Sequence, residues 1–240
     1  MSRILYTSDP HLSHEFLARL RGFLTSTGDG DVVAHDAWYR QMWCSQVSKR
    51  DTVYILGDLT VGGAARVDTV LAFMRDLPGS KHFISGNHDI VHPYERGSIR
   101  AQRHWMETFE SVQAFGVRRL DVHGVRRHVA LSHFPYTGDH TREDRFDAWR
   151  LKDTGQWLLH GHTHDRGQRV HGRQVHVGLD AWGRLVEESE IASLIAAAES
   201  GELVEREGEY VAGRRRIAFA PMTGFGLETR TQNARDGGEH

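Results

Sequence analysis

The chain has 240 residues, 39% of them apolar and 26% charged, and a formal net charge of −2. A near-neutral chain of this kind has no bulk electrostatic case for wrapping nucleic acid or adhering to a membrane, no apolar run approaches a membrane span, and a single cysteine, Cys44, excludes an intramolecular disulfide. Histidine is the outlier: 17 residues, spread through the chain rather than run together at a terminus, which favours a metal site.

Met1-Ser2-Arg3-Ile4-Leu5-Tyr6 runs straight into a strand with no signal-peptide layout, so the cytoplasm is the default expectation. Ile4–Thr7 is a short strand that gives way to Ser8-Asp9-Pro10-His11. Residues 14–21 are weakly helical, and 25–31 read as a loop. Asp36 is the expected N-cap of a helix running to about Val47, with Trp38, Met42 and Trp43 on its apolar side and Cys44 as a small core residue. Asp51–Leu56 is rich in β-branched and aromatic residues, reads as a buried strand, and ends in Gly57-Asp58. Residues 64–76 read as a helix with Val67, Val70, Leu71 and Met74 on one face, and Pro78-Gly79 stops it. Lys81–Ser85 is the next strand, ending in Gly86-Asn87-His88-Asp89. Residues 91–111 have poor periodicity and read as an excursion over the site rather than as core.

In the second half, residues 118–121 and 125–131 flank His123-Gly124 as a hairpin, whose second arm ends in Ser132-His133-Phe134-Pro135-Tyr136. The apolar run Trp157-Leu158-Leu159 ends in His160-Gly161-His162-Thr163-His164. In extended chain, residues two apart face the same side. His162 and His164 are thereby expected to enter one site, with His160 packed on the other face. Residues 169–177 read as a second hairpin, in which His171 and His176, like His123 in the first, are structural or exposed. Ser189 is the expected cap of a helix carrying Ile191, Leu194, Ile195 and Ala198. Residues 203–220 suggest a peripheral hairpin. A single domain over 1–220 is expected, with 221–240 a disordered polar tail. Strand and helix alternate early and hairpins dominate later, which points to a mixed two-sheet α/β core with helices outside.

The candidate ligands all fall at strand ends: Asp9, His11, Asp58, Asn87, His133, His162 and His164. Sheets of this kind bind ligands at that edge. The set is rich in oxygen and imidazole and lacks thiolate, which suits Mn, Fe, Co, Ni or Zn in a catalytic site rather than a structural zinc. Seven ligands exceed what one open catalytic ion needs. They suit two ions sharing a carboxylate, the usual arrangement for in-line attack on phosphorus.

Asp9-x-His11, Gly57-Asp58, Gly86-Asn87-His88-Asp89, His133 and Gly161-His162-x-His164 resemble, in order and rough spacing, the motifs of the calcineurin-like metallophosphoesterases. The resemblance covers residues 9–164. It implies a four-layer αββα sandwich of two mixed sheets flanked by helices, and a site of two divalent transition metals, Mn favoured. By position, Asp9, His11, Asp58 and His164 would hold the first ion. Asp58 would bridge, and Asn87, His133 and His162 would complete the second. His88 would contact the phosphate and help the leaving group, and Asp89 would orient its imidazole. His14 is placed for a supporting role beside the ligands. Pro10 departs from the small or polar residue usual there and leaves the local loop geometry open.

The motifs fix the reaction type and leave the substrate open. The first reading is hydrolysis of small nucleotide diesters, particularly 2′,3′-cyclic ones, by attack of a metal-bound hydroxide. Tyr136, Arg103 and Trp105, with Tyr94, are the candidate stacking and anion contacts. The alternatives are a broad phosphomonoesterase and a non-catalytic partner-binding scaffold on the same fold. The complete ligand set and His88 argue against the scaffold. The short chain disfavours extended nucleic-acid binding, and a homodimer stays open.

Overall fold

The computed structural model of the chain describes residues 2–212 apart from 142, 168, 207 and 208. Two five-stranded mixed sheets carry the fold. In the first, β1 (Ile4–Thr7), β2 (Thr52–Leu56), β3 (Ser80–Ile84) and β4 (Ser111–Gln113) run parallel in that order, and β10 (Val186–Glu187) pairs antiparallel outside β1. The parallel strands are joined through helices. These are α1 (Glu15–Leu20) and α2 (Val32–Gln46), then α3 (Ala64–Arg75), then α4 (Ser98–Trp105).

The second sheet orders β5 (Phe115–Val122), β6 (Val125–Ser132), β7 (Trp157–His160), β9 (Gln174–His176) and β8 (Val170–His171). Its centre, β6-β7-β9, is parallel, and the hairpins β5-β6 and β8-β9 flank it.

Strand alternation sorts the first sheet's side chains into two cores. Leu5, Val53, Ile55 and Phe83 pack with Tyr39, Trp43, Val70, Leu71 and Met74 of the helices. Tyr6, Leu56 and Ile84 face the other way, among Leu120, Val129, Leu131, Trp157, Leu159 and Val175 of the second sheet. On that side Tyr6, Tyr54 and His82 stand in register on neighbouring strands and stack at 5.5 and 4.8 Å, with the Arg118 guanidinium 5.2 Å from the Tyr54 ring. Helix α6 (Glu188–Glu199) touches β5, β1 and β10, so it ties the two sheets together.

Several local expectations need correction. The cap of α2 is Asp31, whose side chain accepts from the Ala34 N–H. Asp36 lies a turn inside the helix, where its carboxylate accepts from the Ser13 N–H and hydroxyl. Cys44 is exposed, because the buried face of α2 is taken by Tyr39, Met42 and Trp43. Helix α6 is capped by Glu187 in a box with Glu190, two residues before Ser189. Residues 91–111 are not simply an excursion: they hold α4, and Trp105 and Phe109 are buried against Phe83. The expected hairpin near 203 is present as β11 (Leu203–Arg206) with β12 (Glu209–Ala212). Residues 213–220 of that expectation, and the tail 221–240, lie outside the described residues.

Candidate active site

The carboxyl ends of β1, β2, β3, β6, β7 and β9 open onto one edge of the two sheets. Short turns there carry Asp9 and His11, Asp58, Asn87 and His88, His133, and His162 with His164. Five of these residues have left-handed backbone: Asp9 at φ 57°, His11 at 47°, Asp58 at 55°, His162 at 70° and His164 at 51°. That conformation strains a residue bearing a Cβ. It is held by packing and cross-links, among them hydrogen bonds from the Asp9 N–H to the Gly57 carbonyl and from the His11 N–H to the Asp58 carbonyl. Two glycines make room. A Cβ on Gly161 would collide with Ser8 Oγ and Asp9 Oδ2, and one on Gly57, itself at φ 87°, would strike the His133 ring.

The donor atoms converge. Asp9, His11 and His164 offer ligand atoms within 4.8 Å of one another, as do Asp9, Asp58 and His133. Asp58 Oδ2 stands 3.7 Å from His11 Nε2 and 3.4 Å from His133 Nε2. Asn87 Oδ1 lies 3.1 Å from His133 Nε2 and 2.9 Å from His162 Nδ1, and those two nitrogens are 3.3 Å apart.

The partners of each ring assign its tautomer. His133 Nδ1–H donates to the Leu56 carbonyl at 2.8 Å, His162 Nε2–H to Asp139 Oδ2 at 2.9 Å, and His164 Nδ1–H to Asp180 Oδ2 at 2.8 Å. Each ring therefore turns a lone pair into the cluster. Both ring nitrogens of buried His11 lack any hydrogen-bond partner. Buried polar atoms are normally satisfied. A nitrogen without a partner, among lone pairs that face one another and a carboxylate, fits a divalent cation.

Protonation agrees with that fit at three of the four rings; at His164 burial is outweighed by the hydrogen bond to Asp180 and the Asp9 carboxylate, which hold the imidazole above its ordinary range, and a bound cation would displace that proton. Burial, first of all, holds the imidazoles of His11 and His133 below their ordinary range and His162 at about 3, so they are neutral and ready to ligate. Burial and then the neighbouring Asp9 carboxylate push Asp58 well above the usual carboxylate range. A cation bound there would remove the reason for that shift. His88, half-exposed, is held at about 4, first of all by burial. Its Nε2 stands 3.9 Å from Asp58 Oδ2.

The remaining candidates are not all at the site. Asp89 does not reach the His88 ring. Its carboxylate accepts from the backbone N–H groups of Asp58 (2.8 Å), Leu59 (3.0 Å) and Gly86 (2.7 Å), so it builds the turn that carries Asp58. Burial and the Asp58 charge raise it to about 8, against the pull of those donors. Trp105 is buried in the helix-side core and leaves no face for a substrate. Arg103 is exposed on α4, and the Tyr136 hydroxyl donates to the Gln156 carbonyl before β7. His160 is buried against His176, as its packed reading requires. The His14 ring lies 5.5 Å from that of His11.

Sequence reasoning named Tyr94 but missed its partners Phe146 and Trp149 in the wall beside Asn87, and the carboxylates behind the histidines. Tyr94 donates its hydroxyl to the Asn87 carbonyl, stacks on Phe146 at 6.2 Å and meets Trp149 at 6.0 Å. Phe146 in turn packs edge-on to His162 at 5.7 Å. Trp149, in a single 3-10 turn (Asp147–Trp149), is 42% exposed. Asp139 and Asp180 hold His162 and His164. Phe146, Trp149, Asp139 and Asp180 lie in no short motif, and no local sequence signal marks them.

The family profile described as calcineurin-like phosphoesterase matches residues 2–166, the span holding every one of these candidate ligands. The chain belongs to the calcineurin-like phosphoesterase family. It is 42% identical over 201 residues to the Gene 66 protein of Mycobacterium phage L5, covering 81% of this chain and 95% of that one. It is 40% identical over 205 residues to the Gene 66 protein of Mycobacterium phage D29, covering 84% of this chain and all of that one. A crystal structure of the Aquifex aeolicus protein of unknown function AQ665 shares the fold, with TM-score 0.56 and 21% identity over 81% of this chain and the whole of its own. Among the described residues no helix is long and apolar enough to cross a membrane.

Proposed function

We propose that this phosphoesterase is a binuclear metal-dependent phosphodiesterase acting on small nucleotide diesters, 2′,3′-cyclic ones in particular. The observation that carries the binuclear reading is Asp58. Its Oδ2 stands 3.7 Å from His11 Nε2 and 3.4 Å from His133 Nε2, within reach of a donor from each of the two ligand sets, which supports a carboxylate shared by two ions. Asp9, His11, Asp58 and His164 would hold one ion, and Asp58, Asn87, His133 and His162 the other. Bound there, the ions would supply an activated water and neutralise charge on the phosphate oxygens. His88, exposed enough to meet substrate, hydrogen-bonds the phosphate or leaving oxygen as charge develops.

The diester preference rests on the aromatic wall of Tyr94, Phe146 and Trp149 beside Asn87, which offers a face to a nucleobase carried by the reacting phosphate. The test is a panel of 2′,3′-cyclic nucleotides, aryl diesters and aryl monoesters, run with Mn, Fe, Co, Ni and Zn. Diesters are expected to exceed monoesters in kcat/KM by at least about tenfold. Faster monoester turnover would replace the reading with a phosphomonoesterase, and no turnover with any metal would favour a binding scaffold.

A further inference from the structure

His162 and His164 each turn one ring nitrogen into the cluster and give the other to a carboxylate outside the family motifs. His164 Nδ1–H donates to Asp180 in α5 (Leu179–Trp182), at the end of β9. His162 Nε2–H donates to Asp139, in the loop after β6. Each carboxylate is held by arginine. Arg21 grips Asp180 with two bonds, Nε to Oδ1 at 3.0 Å and Nη2 to Oδ2 at 2.9 Å. The same guanidinium donates to the carbonyls of Asp9 at 2.7 Å and Pro10 at 2.8 Å. Arg145 donates to Asp139 Oδ1 at 2.9 Å, and Arg150 lies 3.4 Å from its Oδ2. Arg21 and Asp180 are buried, and the Asp139 side chain is fully so.

We propose that Asp180 and Asp139 are positioning residues that set the two metal affinities separately. Asp180 acts on the ion at Asp9, His11, Asp58 and His164, and Asp139 on the ion at Asp58, Asn87, His133 and His162. The proposal rests on the binuclear reading above. A carboxylate behind a ligating imidazole fixes its tautomer and ring plane and raises the basicity of the ligating nitrogen. The two braces share no residue. Arg21 extends the first brace to the carbonyls of Asp9 and Pro10, so one side chain holds both the carboxylate behind His164 and the turn that carries Asp9 and His11. This also gives Pro10 a place: its carbonyl is the acceptor for Arg21. Asp139, His140 and His162 also lie close enough to hold a cation themselves. Two arginines on Asp139 oppose that reading.

The experiment is Mn(II) titration of metal-free protein, followed by calorimetry and by EPR of free Mn(II). Wild type, Asp180→Asn and Asp139→Asn are compared, each also in a His11→Ala and an Asn87→Ala background to isolate the second and the first ion. Second-sphere changes of this kind typically cost about 10–100-fold in metal affinity. Asp180→Asn is expected to weaken the ion that survives in Asn87→Ala by that factor and to leave the one in His11→Ala unchanged. Asp139→Asn is expected to do the reverse. If both variants weaken both ions equally, or neither weakens any, the proposal falls while the binuclear site stands. Fewer than two ions on wild type would overturn the binuclear reading itself. Three ions would make Asp139 a ligand and overturn the brace. Circular dichroism checks folding. Should Asp180→Asn not fold with Arg21 left unpaired, Asp180→Glu keeps the charge, displaces the carboxylate by one methylene and carries the same comparison.

Discussion

His88 sits next to a candidate ligand, and its ring nitrogen stands 3.9 Å from Asp58 without belonging to any group of converging ligand atoms. Removing it should therefore leave metal content and fold intact and slow the step in which charge develops on the leaving oxygen. We expect His88→Ala to lose about 10²–10⁴-fold in turnover of nucleotide diesters, and less on nitrophenyl diesters, whose leaving groups need little help. Equal losses would assign His88 to phosphate binding alone, and a lost ion would make it a ligand. Asp58→Ala is the complementary experiment. On the proposed reading one carboxylate serves both ions, so elemental analysis should find both depleted, and metal content near wild type would place the bridge elsewhere. Asp89 belongs to stability rather than chemistry. Asp89→Ala strands three buried N–H groups at about 1–3 kcal/mol each. Urea unfolding of the metal-free chain should shift by more than about 3 kcal/mol, and a shift under about 1 kcal/mol would show that water replaces the carboxylate.

At the level of elements, the strand-to-turn units were the legible part. Asp-Thr-Val-Tyr-Ile-Leu-Gly-Asp reads as strand then ligand because β-branching, burial and a glycine exit all fall within eight residues. The helix starts were less legible, since Asp31 and Asp36 are both acceptable caps by type. Tertiary partners chose between them, with Asp36 drawn to Ser13. Arg21 and Asp180 were invisible because their chemistry is a contact between residues 159 positions apart. Trp105 was misplaced because an amphipathic helix of eight residues gives too few turns for its period to show. Asp51 yields a prediction at this scale. It ties β1 to the turn before β2, accepting from the Arg3 N–H and guanidinium and from the Ser48 N–H. Burial alone would raise its carboxyl, but the hydrogen bonds from Ser48 and Arg3 outweigh burial and hold it well below the usual range. A depressed carboxyl stabilises the fold above its unfolded pKa, about 3.9, and loses that contribution as pH falls toward its folded value. Asp51→Asn should thus cost about 1–3 kcal/mol at pH 7. The gap to wild type should close as denaturant melts are taken below pH 4. A gap that stays constant with pH would remove ionisation from the explanation.

For the molecule as a whole, the site and the two cores make opposite demands. Both cores are closed by ordinary apolar packing, whereas the edge between the sheets collects buried carboxylates that repel one another and a histidine with no hydrogen-bond partner. A ligand that binds only the folded state stabilises it by RT ln(1 + [L]/Kd), about 4 kcal/mol at a thousandfold excess over Kd. Chelation should accordingly lower the melting temperature by several degrees, and Mn(II) should restore it. An unchanged melt would mean that the ions add nothing to folding. The left-handed backbone at Asp9, His11, Asp58, His162 and His164 then bears on how such a protein can be improved in the laboratory. Glycine relieves that strain wherever it occurs, and at Asp58 it would also abolish the repulsion with Asp9. A library sorted for heat resistance in the absence of metal should therefore enrich glycine at these positions and discard the activity. The same library sorted with Mn(II) present should keep every one of them, so the additive in the selection buffer decides whether the survivors are still enzymes.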